Sequence, residues 1–452
     1  MESGDSPSKF KFHPNAATSF EEAAQDILRA IQAFPTLPQR ANTPEIYAPF
    51  HLDEADIIGT PIVQQTSVDV FGQQVGFFWA SKGIRVGWEG EQYQRIKQLV
   101  AKIEKATKGR VSNEFLINHT LSWLQGSLES NRADGFADYI QEQCVNEIKE
   151  HEIWIPIYRT YSAQNFALGN VEFRTVTKEM LDKWSCKLSP SAEPNSPVAF
   201  ANDRDRSSIQ GSLAACVTVE AEVDKAREIA HKTANNAIGL LRFISPVNFQ
   251  HKFVSYAVPV GRENTQKTVE YFLEQGEIRR QKQAWIDRGP DSWNVDDARN
   301  MCPGVFENLQ RLCLNPNESE FRKILHQSLL LHAQNTISAE IAQKLVYVTS
   351  AIESLLLINS TEPIQKNLGE RMAFIVGRDL AQRRAIVQNV DKFYSIRSRL
   401  FHHGEEVNPD DVTVIDQFFC NVWATFAELL AKLDLFKSKD SLIRDLEDKK
   451  LG

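Results

Sequence analysis

Beyond residue 303 the apolar residues recur with the period of an α-helix, which confines the last third of the chain to helices that must cover one another's apolar faces. In "SAEIAQKLVYVTSAIESLLLIN", Ile341, Leu345, Val348, Ile352 and Leu355 or Leu356 form one stripe behind Ser338 as N-cap. "PIQKNLGERMAFIVG" predicts a second helix, with Gly377 placed for a left-handed cap. A helix around 379–388 follows, then one containing "YSIRSRLFHHGEE", which Gly404 ends. The last, "NPDDVTVIDQFFCNVWATFAELLAKL", opens with Asn408 as cap, Pro409 at the first helical position, and Asp410 and Asp411 at the positive end of the dipole. Residues 303–452 therefore read as a helical bundle.

Upstream the periods mix, so the chain as a whole is predicted to be α+β. Residues 1–45 are a polar tail and one helix, "SFEEAAQDILRAIQAF", with Ser19 as N-cap, Glu22 three residues on, and Pro35 and Pro38 as stops. Residues 46–302 form an α+β region. Within it, 66–90 predicts a small antiparallel sheet broken by Gly72, Gly76, Gly83 and Gly87, and 92–150 turns helical. "EIWIPIYRTYS", "NVEFRTVT" and "ACVTVEAEV" predict strands, the last leading into the helix "DKAREIAHKTANNAIGLLRFI". Residues 187–212, rich in Ser, Pro, Asp and Asn, have neither period and predict a long loop.

Composition removes several function classes. No run of about 18 uncharged apolar residues is present and the N-terminus has no secretory apolar stretch, so a cytoplasmic protein without a membrane partner is expected. The six Cys are scattered without a Cys-x-x-Cys pair or zinc-ligand spacing, which predicts reduced thiols and no metal. A net charge of −8 argues against coating nucleic acid through the overall field, although a local basic cleft can still hold a phosphate backbone. With no phosphate-binding Gly-rich loop, dinucleotide fingerprint or nucleophile elbow, no cofactor is expected.

Chemistry concentrates in "YSIRSRLFHHGEE". Arg397 and His402 are five residues apart, which on an α-helix separates them by about 140°. His402 and His403 fall in a last helical turn, where unpaired carbonyls favour the imidazolium. Dipole compensation alone would put basic side chains there. Two basic-aromatic stretches are weaker candidates for RNA contact: Arg279, Arg280, Lys282 and Trp285 in 277–289, and Arg383 and Arg384 in 377–386. Solvated helix faces are the commoner explanation for both. His151, His231, His251, His326 and His332 have no companion ligand in sequence and read as core or surface histidines.

The order of these helices, with "SAIESLLL", "LGERMAFIVG" and "FYSIRSRLFHHG", resembles the HEPN superfamily, the Apea-like domains in particular, over roughly residues 320–436. The combination Tyr394, Arg397, Ser398, His402 and Gly404 is similar to the family's signature of Arg followed by His after about four to six residues. Ser398 is a departure, standing where the superfamily usually has Asn, Asp or His. The resemblance implies a metal-independent endoribonuclease in which Arg397 and His402 are catalytic, with His403 an alternative to His402, and Glu353 and Tyr394 supporting the site. It further implies a homodimer through the C-terminal bundle that brings two motifs to one cleft, an N-terminal region that senses an unknown trigger, and a place in antiphage defence by abortive infection. A non-catalytic module of the same type, binding nucleotide or RNA or serving dimerisation, is the alternative; a third reading is a helical interaction protein.

Overall fold

A computed structural model describes residues 10–34, 65–68, 73–81, 84–130, 134–186, 209–262, 267–274, 277–285, 292–359 and 361–451. The fold is α+β. It divides into two compact units, one of residues 1–151 with 218–229, the other of 152–217 with 230–452.

In the first unit, α1 (Pro14–Arg29), α2 (Glu91–Ala106), α3 (Asn113–Ser130) and α4 (Phe136–Glu147) accompany a sheet of β1 (Gln32–Phe34), β2 (Gln65–Val68), β3 (Gln74–Ser81) and β4 (Ile84–Glu89) in the order β1-β4-β3-β2. All its pairings are antiparallel, as the alternation of 66–90 predicts. Trp79, Trp88, Tyr93, Trp123 and Phe136 fill the core, and Trp88 donates its indole N–H to the Ile27 carbonyl at 2.9 Å. The first helix starts earlier than Ser19: His13 caps it, its ring nitrogen accepting from the Asn15 amide, and Pro14 takes the first position. A proline-initiated start outweighs the serine capping box because Pro14 is already preset for helical φ.

The second unit begins with β5 (Lys149–Pro156, its first residues in the other unit), β6 (Thr160–Tyr161), β7 (Phe166–Leu168), β8 (Val171–Thr175), α5 (Lys178–Cys186) and β9 (Leu213–Ala221), with a sheet ordered β5-β9-β8-β7. Most of the loop expected at 187–212 lies outside the described residues. α6 (Val223–Leu241) starts in the first unit and ends in the second, and two 3₁₀ turns follow, Arg242–Ile244 and Pro246–Phe249. β10 (Lys267–Glu274) and β11 (Glu277–Trp285) form an antiparallel hairpin. The stretch with Arg279, Arg280, Lys282 and Trp285 is thus a strand, and a helix face is not the explanation for its charges. Then come β12 (Trp293–Asn294), parallel to β6, and seven helices: α7 (Val295–Met301), α8 (Pro303–Leu314), α9 (Glu320–Asn335), α10 (Ile341–Leu356), α11 (Ile364–Val376), α12 (Leu380–Ser398) and α13 (Pro409–Leu430), with α14 (Lys439–Leu451) closing the chain.

Three local expectations change. α10 starts behind Glu340, because the Ser338 hydroxyl instead donates to the Gln334 carbonyl of the preceding turn. The two helices expected over 379–403 are one, α12, with Asp379 as its side-chain cap. Gly377 ends α11 with φ −75°, outside the left-handed region. Its reason is space: a Cβ there would lie 2.7 Å from both the Ala373 carbonyl and Arg383 Cγ.

The bundle is bound by apolar stripes and a few buried polar ties. Phe393 of α12 stacks on Phe418 of α13 at 3.6 Å between centroids. Beside them, Asn421 donates to the Asn389 side chain and Asn389 donates to the Val414 carbonyl, each at 2.9 Å. Arg371, buried in α11, donates to the Leu356 carbonyl at the end of α10 and pairs with Glu362 and with Glu447 of α14. A buried cation satisfied this way fixes three helices relative to one another.

His332 of α9 is 2% exposed, between the rings of Phe243 and Phe426, with Nδ1 lacking a hydrogen-bond partner. Burial pushes its imidazolium down to about 3. The unfolded chain binds that proton near pH 6.5 and the folded chain does not, so stability is lost as pH falls through the window from about 6.5 to about 3. His332→Leu is expected to remove this loss: by denaturant unfolding, wild type should lose about 2 kcal/mol relative to the variant between pH 7 and pH 5. A difference that stays constant with pH counts against a neutral, buried His332.

Candidate active site

α10 and α12 lie in the same bundle and place Glu353 and Tyr394 side by side. The apolar stripe of α10, Leu345, Val348, Ile352, Leu355 and Leu356, faces the core, which leaves Glu353 half-buried at its edge. On α12, Phe393 and Ile396 are buried, and Tyr394 and Arg397, three apart on the next face, are half-buried. The Tyr394 hydroxyl donates to Glu353 Oε1 at 2.5 Å. Burial, then the Glu353 carboxylate, push the phenol well above its usual range, while the Arg397 charge opposes them. Tyr394 is thus a protonated donor to Glu353.

The Arg397 guanidinium carbon lies 5.8 Å from the Tyr394 ring centroid and 5.6 Å from that of Phe401, within cation–π reach of both. Its Nε is buried and has no hydrogen-bond partner among the described residues. A guanidinium flanked by two rings can take an anion with the geometry of a phosphate only through its terminal amino groups, since the Nε is closed to an incoming ligand.

After Ser398, which is exposed, the helix widens. Arg399–His403 is a π-turn, closed by Gly404 at φ 65°, whose amide bonds back to the Arg399 carbonyl. An i→i+5 turn brings residues five apart closer to one line than an α-helix does, so the angular separation of Arg397 and His402 falls below the α-helical value of about 140°. His402 and His403 are both exposed on this turn, and Phe401 is 42% exposed beside them.

Sequence reasoning missed the pair that holds the turn. Arg399 donates to Asp411 Oδ1 at 2.7 Å and approaches Glu405 at 3.7 Å. Asp411 is also the N3 carboxylate of a capping box with Asn408, so one carboxylate both starts α13 and fastens the π-turn. The capping residues were visible in sequence; the identity of the arginine facing them was not, because the i→i+5 register moves Arg399 around the helix.

The weaker candidates are placed elsewhere. Arg383 donates to the Gly377 carbonyl at 3.2 Å and lies over the Phe374 ring at 4.5 Å, so its guanidinium serves the α11–α12 junction; Arg384 is exposed. Arg279, Arg280 and Trp285 lie on β11. His251 has the partner that sequence could not show: its Nδ1 meets Asp416 Oδ1 at 2.7 Å. Among the described residues no three His, Cys, Asp or Glu are grouped to hold a metal, and no helix is long and apolar enough to cross a membrane.

No family model matches the sequence, and neither a curated protein nor a solved structure matches it.

Arg399→Gln is expected to loosen the π-turn while leaving the bundle folded. Backbone amides of 400–404 should exchange faster, and global stability should fall by about 1 kcal/mol, a value held down by the partial exposure of the arginine. Unchanged exchange at these amides would show that Asp411 does not hold the turn.

Proposed function

We propose that the protein is a metal-independent endoribonuclease of HEPN type, acting in the cytoplasm as a homodimer through its C-terminal bundle. The observation that carries this reading is Arg397: a half-buried residue whose guanidinium lies by the Tyr394 and Phe401 rings, flanked by the Tyr394–Glu353 pair and five residues ahead of His402 on a π-turn. In the proposed reaction the ribose 2′-hydroxyl attacks the adjacent phosphorus and the 5′-oxygen leaves, giving a 2′,3′-cyclic phosphate and a 5′-hydroxyl. Arg397 steadies the extra negative charge on the phosphorane oxygens, and His402 transfers protons. One imidazole is poorly placed to be base and acid in the same turnover, and two protomers supply two. Tyr394 and Glu353 orient the arginine; Ser398, exposed beside it, is not ionisable and serves at most as a hydrogen-bonding group. The α+β N-terminal region would respond to a trigger and restrain the nuclease, in keeping with a role in abortive infection by phage.

One observation favours the second reading, a non-catalytic module that binds RNA or nucleotide or serves dimerisation. Neither His402 nor His403 has a hydrogen-bond partner among the described residues that would fix its tautomer, as catalytic imidazoles usually have. In the nuclease reading that partner comes from the second protomer or from RNA.

The two readings separate on purified variants. Arg397→Ala and His402→Ala are each expected to remain folded and dimeric while cleavage of single-stranded RNA falls by at least about 100-fold. His403→Ala should retain cleavage, products should end in a 2′,3′-cyclic phosphate, and an all-DNA strand should stay intact. RNA binding without cleavage by the wild-type dimer, unchanged in His402→Ala, would leave the non-catalytic reading standing.

A further inference from the structure

A cavity of about 680 Å³ lies in the second unit, remote in sequence from the Arg397 site, between the segment after α6, the start of α7 and the middle of α13. Four aromatic residues line it, Phe249, Phe253, Trp293 and Trp423, and Asp297, an exposed residue of α7, is part of the same lining. No Lys, Arg or His is among the described residues of its lining. Lys344, which is buried, donates to the Phe253 carbonyl at 2.5 Å and is not itself among the lining residues.

Both walls are fixed before any ligand arrives. On one side the Asn248 amide donates to the carbonyls of Arg242, Phe243 and Ser245 at 2.7, 3.0 and 2.8 Å, and the His251 amide and ring hold Asp416 of α13. Trp423 donates its indole N–H to the Phe243 carbonyl at 2.8 Å, stacks on Phe243 and meets Phe249 edge-on, so its polar atom is satisfied and only ring surface remains for a guest. On the other side Asn294 caps α7, and Asp296 accepts from the Ser162 hydroxyl and the Ala163 amide. Volume, apolar lining and rigidity are those of a small-molecule site.

The electrostatics select the guest. Aromatic faces carry negative potential, one carboxylate adds to it, and no cation among the described lining residues offsets either. A phosphate or sulfonate would find Ser245, Gln250, Ser292 and Asn294 but no cationic partner among the described lining residues. We propose that this cavity is a binding site for a lipophilic organic cation, an aromatic or alkyl-substituted amine, whose charge meets Asp297 and the ring faces while its apolar body fills the space between Trp293 and Trp423. The site is independent of the RNA-cleaving reading.

The test uses the full chain and proflavine, a planar cation, against anilinonaphthalene sulfonate, an aromatic anion, and acridine, neutral at pH 8. By titration calorimetry and tryptophan quenching, proflavine is expected to saturate one site per chain and to bind roughly tenfold tighter than the sulfonate. Asp297→Asn should weaken proflavine about fivefold and leave acridine unchanged, since only the charge contact is lost. Ser292→Trp, an exposed position at the cavity wall, should reduce both. Equal affinity for the sulfonate, proflavine binding indifferent to both substitutions, or no saturable binding of proflavine would each overturn the proposal.

Discussion

A buried guanidinium with no carboxylate partner among the described residues lies in the larger unit, and the arrangement of the elements around it depends on how that charge is satisfied. Arg242, 4% exposed, donates to the Thr336 hydroxyl, to the Ala257 carbonyl and, at 3.4 Å, to the Ala333 carbonyl. Burial pulls its pKa down to about 10, still far above neutrality, so the group stays charged. Two of its acceptors are at the C-terminal end of α9, where unpaired carbonyls carry partial negative charge, and this compensates the lost hydration without an anion. Because the charge must find these acceptors together, the end of α6, the end of α9 and the segment reaching Ala257 have one mutual placement.

From that placement the rest of the unit follows by short links. The carbonyls of Arg242 and Phe243 accept from Asn248, and that of Phe243 also accepts from Trp423, so the segment after α6 is seated on α13. Asp416 accepts from His251 one to two turns earlier on the same helix. At its start α13 carries Asp411, which fastens Arg399 and with it the π-turn. The aromatic cavity and the Arg397 site therefore share a helix, one using its middle and the other its first turn. Each is rigid for a different reason: the cavity through satisfied indole and amide groups, the site through a carboxylate with two tasks.

The π-turn is the structural device that gives the short stretch its chemical character. A regular α-helix through 394–403 would keep Phe401 beside Arg397, four residues on, but turn His402 away by about 140°. With the extra residue accommodated in the turn, the angle between Arg397 and His402 narrows, and both histidines project from a turn that Gly404 ends in the left-handed conformation. Gly404 carries out a role its residue type announces, whereas Gly377 is glycine only because Arg383 and the Ala373 carbonyl crowd it. The same residue type thus answers two different constraints, one local and one tertiary.

What the sequence determined by itself was whatever local periodicity and capping decide: the α+β class, the antiparallel strands around 66–90, the predominantly helical character of the chain past 303, and the Asn408–Asp411 start of α13. Tertiary structure decided what depends on partners distant in the chain. It paired His251 with Asp416, gave Asp411 to Arg399, and set Trp423 on the Phe243 carbonyl. The division has a physical cause. Hydrogen bonds within a helix and the burial of one of its faces are encoded within a few turns of chain, but a buried charge or a widened turn is stable only when groups from other elements satisfy it, and no window of sequence contains them.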